Sequence, residues 1–516
     1  MKMVKQLLLG TAAGMIAVAG AQAADMPVKA KPVEYVKICT LYGAGFYYIP
    51  GTDTCIKIGG YVRVQTDLHG GGGGVVDGSG PQMTNQARFT RDLTNDINYR
   101  VRGVISMDAR TQTDYGTLRS YFRAGWENTT PNNTGGGTTA NPFWDRAFIQ
   151  FAGFTVGRAQ SFYDGFTFGG AYSYLNVREG GDTGATGQNL WAYTVQFGNG
   201  VSYSVSLEDP ATKRGAVVDN TCANFFGNTA PVSDAAHHGQ TACGTTGQFG
   251  FRVPDIITNL RVDQAWGYVG VSTAIHEASG AYYGTPNNIN NGHPADKYGW
   301  AVSAFGLLNL QGGDIIGVNF STGRGAVHYT TNSSWWQYYE NSNSRAMGWV
   351  ADGIFGTGTD VELTESWSVV AGYQHIWGAA GTFGGKWRTS LYGGYVSIHY
   401  NDRATQLINQ SFANGVCNGG AGTGVLTTFN PQAGNSCNPD VSWYQVGSRT
   451  QFNPAPLMDI GLDVFYTKIN SAYEGPVNWV ANGSRPACTN SAILGCDFAD
   501  KGTLTAIVRW QRNFYP

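Results

Sequence analysis

The chain has 516 residues, of which 13% are charged and 13% aromatic, with 73 glycines and a formal net charge of −2. Soluble domains carry about a quarter charged residues, so this composition argues against an ordinary soluble domain. The near-neutral charge leaves no electrostatic footprint for phosphate and excludes a nucleic-acid binder.

Residues 1–23 carry Lys2 and Lys5, then an apolar run from Leu7 to Ala19, then Ala21-Gln22-Ala23. These are the basic, apolar and small-residue parts of a secretory signal peptide, with cleavage expected after Ala23. No later segment reaches the ~18 uninterrupted apolar residues of a membrane helix. An exported chain of this kind is soluble or crosses a membrane as a closed barrel, because backbone hydrogen bonds must be satisfied inside lipid. A Pro-containing lead over 24–32 and a loop reaching residue 55 precede one expected barrel domain over 56–516.

Eight cysteines follow the signal: Cys39, Cys55, Cys222, Cys243, Cys417, Cys437, Cys488 and Cys496. An even count in an exported chain suggests disulfides. Spacing does not fix connectivity. Pairing of consecutive neighbours is the economical reading, since each pair brackets a loop-like segment. A metal site is disfavoured because no spacing is CxxC and no His pair sits at zinc-finger distance.

The strand signal runs through the rest of the chain. Over 58–68, Tyr61, Arg63, Gln65 and Asp67 share one face, and Val62, Val64, Thr66 and Leu68 the other. Over 98–110, Tyr99, Val101, Ile105, Met107 and Ala109 alternate with Arg100, Arg102, Ser106, Asp108 and Arg110. Similar runs fall at 115–127, 143–151, 154–160, 188–197, 201–208, 256–264, 266–277, 297–310, 313–324, 346–363, 367–377, 386–399, 440–453, 457–469 and 503–516. The last places Leu504, Ala506, Val508, Trp510 and Phe514 on one face. Tight connections such as Gly198-Asn-Gly200 and Ala265-Trp-Gly267 alternate with long loops such as 209–255 and 400–439. The reading is an all-β, antiparallel transmembrane barrel with an apolar outside and a polar inside. Single-chain bacterial barrels have even strand numbers; sixteen is expected, with eighteen as the alternative and 346–399 as the ambiguous region. Trp126, Trp144, Trp191, Trp377 and Trp510 lie near strand ends, as interfacial girdle residues do.

Cys39-Thr-Leu-Tyr-Gly-Ala-Gly-Phe-Tyr-Tyr-Ile-Pro-Gly-Thr-Asp-Thr-Cys-Ile-Lys-Ile-Gly-Gly-Tyr-Val-Arg63 resembles the opening of the alphaproteobacterial porins of rhizobia and their relatives. The resemblance continues in Asp108-Ala-Arg-Thr-Gln-Thr-Asp-Tyr-Gly-Thr-Leu-Arg-Ser-Tyr121, Phe154-Thr-Val-Gly-Arg158 and Arg388-Thr-Ser-Leu-Tyr-Gly-Gly-Tyr395. It implies a sixteen-stranded, trimeric outer-membrane porin for passive diffusion of ions and small hydrophilic solutes, placed in the membrane by the outer-membrane assembly machinery. One departure is at the end, where Tyr515 and Pro516 follow Phe514. In the resembled porins the third long loop folds into the lumen and narrows it. Here that loop is 161–187, with Asp164, Glu179 and Asp182 as the candidate acidic residues. Arg178-Glu-Gly-Gly-Asp182 is a loose version of the motif found in enteric porin constriction loops.

Seven arginines crowd the first part of the chain: Arg63, Arg100, Arg102, Arg119, Arg123, Arg146 and Arg158. Arg100 with Arg102, and Arg119 with Arg123, share strand faces by the two-residue period. Rings of fixed charge in a pore select ions and orient polar solutes, so these are the candidate basic wall. A lumen-facing arginine can equally be a solvated wall residue or one half of a structural ion pair.

Enzyme signatures were not found. His276-Glu277 continues Ala-Ser-Gly and lacks the second histidine of HExxH. Gly384-Gly-Lys386 is followed by Trp387 and is not a phosphate loop. No GxSxG elbow occurs. No cofactor is expected. The alternatives are a substrate-specific channel, a barrel hydrolase or an adhesin.

Overall fold

The computed structural model describes residues 37–69, 97–130, 139–165, 172–174, 187–221, 250, 252–283, 289–331, 337–341, 344–348, 350–378, 387–412, 415–419, 429–479 and 497–515. The chain divides into two units, Met1–Ile56 and Lys57–Pro516. In the first, Cys39 and Cys55 form a disulfide across sixteen residues, and with Phe46 they make its small buried cluster.

The second unit is a closed antiparallel barrel of sixteen strands. They are β1 (Cys55–His69, whose first two residues belong to the first unit), β2 (Ile97–Thr113), β3 (Gly116–Thr130), β4 (Thr139–Phe151), β5 (Phe154–Ala159), β6 (Gln188–Gly198), β7 (Val201–Glu208) and β8 (Asp255–Gln264). The rest are β9 (Gly267–Glu277), β10 (Tyr298–Asn309), β11 (Ile315–Arg324), β12 (Glu365–Trp377), β13 (Trp387–His399), β14 (Val441–Phe452), β15 (Met458–Asn470) and β16 (Lys501–Tyr515). Each strand pairs with the next, and β16 pairs back onto β1 from Tyr515 opposite Gly60 to Thr505 opposite His69. Closure leaves the barrel without an edge strand, which is what lets a sheet stand in lipid.

Alternation sets the orientation of the wall. Val62, Val64 and Leu68 of β1 are exposed, whereas Gln65 and Asp67 are buried. Leu504, Val508, Trp510 and Phe514 of β16 are exposed, and Thr505, Ile507 and Arg509 are buried. A large apolar residue exposed on every second position is a lipid-facing wall. Trp126, Trp144, Trp191 and Trp367 stand outward near the ends of strands that lead into long loops, and Trp377, Trp387 and Trp510 near the opposite rim. Two aromatic belts therefore bracket the apolar band.

One rim carries short turns. At Asn199-Gly200 both central residues have positive φ, 49° and 77°, the requirement of the two-residue hairpin turn that Asn-Gly favours. Ala152-Gly153 makes the same kind of connection between β4 and β5, with φ of 50° and 88°. Alanine in the left-handed region costs about 1 kcal/mol, and asparagine tolerates it far better. Ala152→Asn is therefore expected to raise the unfolding free energy of the barrel by about that amount, seen as a higher urea midpoint read from the heat-modifiable band on gels. An unchanged midpoint would show that the turn relaxes at no cost.

The other rim carries the long loops, whose described parts are folded. Ala351–Phe355 pairs in parallel with Ala216–Asp219 and antiparallel with Glu362–Leu363. Helix α1 (Asp402–Gln410) is capped by Asn401, whose side chain accepts from the Ala404 N–H at 2.8 Å, and buries Leu407 and Ile408. A second described disulfide joins Cys417 and Cys437; Cys222, Cys243, Cys488 and Cys496 lie outside the described residues. The segment 346–363, expected as a wall strand, belongs to this crown. All five residues of Ala351–Phe355 are buried, so its apolar residues have no exposed face to alternate with. The surplus candidate disappears and sixteen strands remain.

Candidate functional site

The charged lumen starts from strand parity. On β1–β4 the inward face carries Arg63, Arg100, Arg102, Arg119, Arg123 and Arg146, together with Asp67, Asp108, Glu127 and Asp145. Arg100 Nη2 donates to Glu127 Oε2 at 2.7 Å, and Arg102 binds the same carboxylate through Nε at 2.8 Å. Arg119 forks onto Asp108 at 3.0 and 2.9 Å, and Arg110 shares that carboxylate at 2.8 Å. Arg123 lies 3.5 Å from Asp145. Arg63 Nε donates to Gln511 Oε1 of β16 at 2.8 Å. The guanidiniums outnumber the carboxylates that share their face, and a side chain with fixed charge and a planar fork is held in one orientation by such pairs.

Loop 161–187 is described in two pieces, 161–165 and 172–174. It leaves after the short strand β5. The Phe162 N–H donates to Glu208 Oε1 at 2.8 Å, and the fully buried Tyr163 packs edge-on against Tyr329 with ring centroids 4.8 Å apart. Gln160 bridges wall and loop: its carbonyl accepts from Arg146 Nη2, and its amide donates to Asp164 Oδ2. Gly165 sits where a Cβ would lie 2.0 Å from the Phe305 ring of β10; only glycine fits so close an approach.

The second described piece, Tyr172–Tyr174, reaches β14–β16. Asp463 Oδ2 accepts from Ser173 Oγ at 2.8 Å and from the Tyr174 N–H at 2.6 Å, while its Oδ1 accepts from Tyr392 Oη at 2.6 Å. Arg449 donates to the Ser173 carbonyl at 2.9 Å, and Arg509 to the Tyr174 carbonyl at 2.8 Å. The guanidinium of Arg509 also lies 4.1 Å from the centre of the Tyr174 ring, a cation–π contact. Three charged side chains thus hold this piece against β14–β16, next to the arginine-bearing strands, since β16 pairs with β1.

The candidates from sequence are distributed as follows. Arg63, Arg100, Arg102, Arg119, Arg123 and Arg146 are gathered on one inner wall, and Asp164 is tied to it through Gln160. Arg178, Glu179 and Asp182 lie outside the described residues. Arg158 is a correction: it faces outward. It shares its row with Phe154, which is 53% exposed, and it pairs across to Ala147 on the row of the exposed Ile149. The residues that pin the loop, Asp463, Arg449 and Arg509, were not singled out from sequence. Their inward parity was readable, but the partner loop is 275 or more residues away.

A second buried cluster sits under the crown. Asp255 Oδ1 lies 2.8 Å from His276 Nδ1, and Asp255 Oδ2 accepts from Tyr329 Oη at 2.6 Å. His276 Nε2 lies 3.3 Å from Asp352 Oδ2. Asp352 also accepts from the Gly215 N–H at 2.6 Å and the Val327 N–H at 2.9 Å. Strands β8 and β9 are thereby stitched to two loops. Among the described residues, no group of three or more His, Cys, Asp or Glu side chains is placed to hold a metal ion.

A sixteen-stranded closed barrel with an apolar outer band and charged side chains on its inner face defines an outer-membrane protein of the porin class. The chain belongs to the family described as Porin subfamily, whose model matches residues 25–495. It is 31% identical over 276 residues to Porin Omp2b of Brucella suis, covering 52% of this chain and 64% of that protein. It is 34% identical over 238 residues to Porin Omp2a of Brucella canis, covering 42% of this chain and 58% of that one. The matched stretch thus spans less than two thirds of the length of these relatives. Among solved structures, the outer membrane channel DcaP of Acinetobacter baumannii matches with a TM-score of 0.51 at 11% identity, over 90% of this chain and 99% of that one. That likeness speaks for the fold.

Proposed function

We propose that this protein is a diffusion porin: a water-filled channel through which ions and small hydrophilic solutes pass the outer membrane down their gradients. The observation that carries the reading is that Tyr172–Tyr174 is held against the inner wall by Asp463, Arg449 and Arg509, beside strands that carry inward arginines. Such an arrangement supports a field at the narrowest zone between Arg63, Arg100, Arg102, Arg119, Arg123 and Arg146 of the wall and Asp164, Glu179 and Asp182 of the loop, with Asp164 close to Arg146 through Gln160. Fixed charges of opposite sign across a pore favour hydrated, polar solutes over apolar ones and set ion preference. We further infer a homotrimer made from a chain cleaved after Ala23, and no catalytic role.

Purified, refolded protein in a planar bilayer under a salt gradient tests this. Large Ohmic steps, often in threes, are the expected result. Glu179→Gln with Asp182→Asn should move the reversal potential toward anion preference, because the arginines then stand with less opposing charge. A silent protein, or an unmoved reversal potential, would sink the diffusion pore or the field respectively.

A further inference from the structure

Water reaches the inner face of the barrel unevenly. Much of that face is covered: Ser272, Ser303, Ser321, Ser368 and Gln445, on the inward rows of β9, β10, β11, β12 and β14, are 3% exposed or less. On β2 and β3 the charged pairs are open, and open on one side. The side chains of Arg110 and Arg119 are 28% and 26% exposed, whereas Asp108, the carboxylate that both hold, is 11% exposed. Arg123 is 32% exposed and its partner Asp145 10%. Each of these arginines is engaged, yet what stands toward water is the guanidinium. Rings lie between the pairs. Tyr121 and Phe148 face each other across β3 and β4 and stack with centroids 5.2 Å apart and planes at 26°. Arg119 lies 5.0 and 5.4 Å from the two ring centres, and Arg102 lies 4.6 Å from that of Phe143 on the same inner face.

We propose that this wall selects flat organic anions, those carrying a carboxylate on an aromatic ring, with Tyr121 and Phe148 as its specificity-determining residues. The inference rests on the channel reading above and names a solute class for it. A carboxylate passing here meets guanidiniums already held in place by Asp108 and Asp145, so little rotamer freedom is lost on contact. The ring of the solute adds what a bare charge lacks. Aromatic faces attract one another in offset stacks, and guanidinium planes stack on aromatic faces as well. A puckered anion of the same size finds the charge without the stack. A neutral ring finds the stack without the charge.

Blockade of chloride current in a planar bilayer tests it, with benzoate, cyclohexanecarboxylate or benzamide added in turn to the refolded protein. Benzoate should halve the current at a concentration about threefold below that of either other solute, the scale of one aromatic pair. Tyr121→Leu and Phe148→Leu keep apolar bulk and remove a ring, and each should bring benzoate to the level of cyclohexanecarboxylate. Arg119→Lys keeps the charge and loses the plane; it should weaken benzoate more than cyclohexanecarboxylate, and it decides the matter if a leucine variant gives no heat-modifiable band. Equal half-blocking concentrations of the three solutes in a conducting wild type, or an undiminished benzoate advantage in the folded variants, would overturn this proposal and leave the channel reading standing. A wild type that carries no chloride current would sink the channel reading itself, and this one with it.

Discussion

Replacing Asp463 with alanine is expected to raise single-channel conductance and its open-channel noise while the barrel stays folded. Asp463 is fully buried and takes three hydrogen bonds, from Ser173 Oγ, the Tyr174 N–H and Tyr392 Oη. Two of these hold the loop directly. Hydrogen bonds to a charged group are worth about 1.5–3 kcal/mol each, so the loop loses the larger part of its attachment at this point. Arg449 and Arg509 then hold two carbonyls of a segment whose N–H is left without its acceptor. The segment around Tyr172–Tyr174 should sample positions away from β14–β16, and on the proposed reading the lumen should widen intermittently. Asp463→Asn retains one carbonyl acceptor and is expected to fall between alanine and wild type. Strand content by circular dichroism and the heat-modifiable gel band serve as controls, because the wall pairs of β15 with β14 and β16 are backbone bonds the substitution does not touch. Conductance and noise equal to wild type, in a folded Asp463→Ala protein, would mean that the loop is positioned by other contacts.

The wall was legible because lipid and water impose a period of two on every strand, and the period survives in one sequence. Val62 against Arg63 and Trp510 against Arg509 assign their faces with no knowledge of the neighbours. Charge alone was a poorer guide than parity. Arg158 was grouped with the pore arginines for its sign, although Phe154 and Val156 on its own row already marked that row as outward. The crown defeated the same reasoning. Ala351–Phe355 reads as a strand and is one, but it is covered on both faces by loop residues such as Val218 and Val327, so no alternation distinguishes it from a wall strand. What joins distant parts was least readable. Arg63 with Gln511, Arg509 with Tyr174 and His276 with Asp352 are set by barrel closure and loop packing, and neither leaves a local trace in composition or spacing.

Asp352 is the residue whose loss should cost the crown most. It is fully buried and contacts three separate segments: His276 of β9, the Gly215 N–H in one loop and the Val327 N–H in another. Its removal leaves two buried N–H groups without an acceptor and takes one of two carboxylates from a buried histidine. Breaking a buried ion pair by deleting one partner costs about 3–5 kcal/mol. The cost falls on the loops rather than the wall, since β8 and β9 remain joined by nine residue pairs of backbone register. Asp352→Ala is therefore expected to release the segment around Lys213 and Arg214, which is packed down in the native protein, with Lys213 only 3% exposed. A loss of ~3 kcal/mol raises the open fraction roughly a hundredfold, and cleavage tracks that fraction when opening and closing are fast. Limited trypsin digestion of the detergent-solubilised protein, followed by mass analysis for cuts after Lys213 or Arg214, reads this directly. His276→Gln should accelerate the same cuts, and the double variant should show less than the sum of the two effects, because both act through one cluster. Unchanged cleavage in Asp352→Ala, or strict additivity in the pair, would show that apolar packing of the crown, and not this cluster, holds the loops over the barrel.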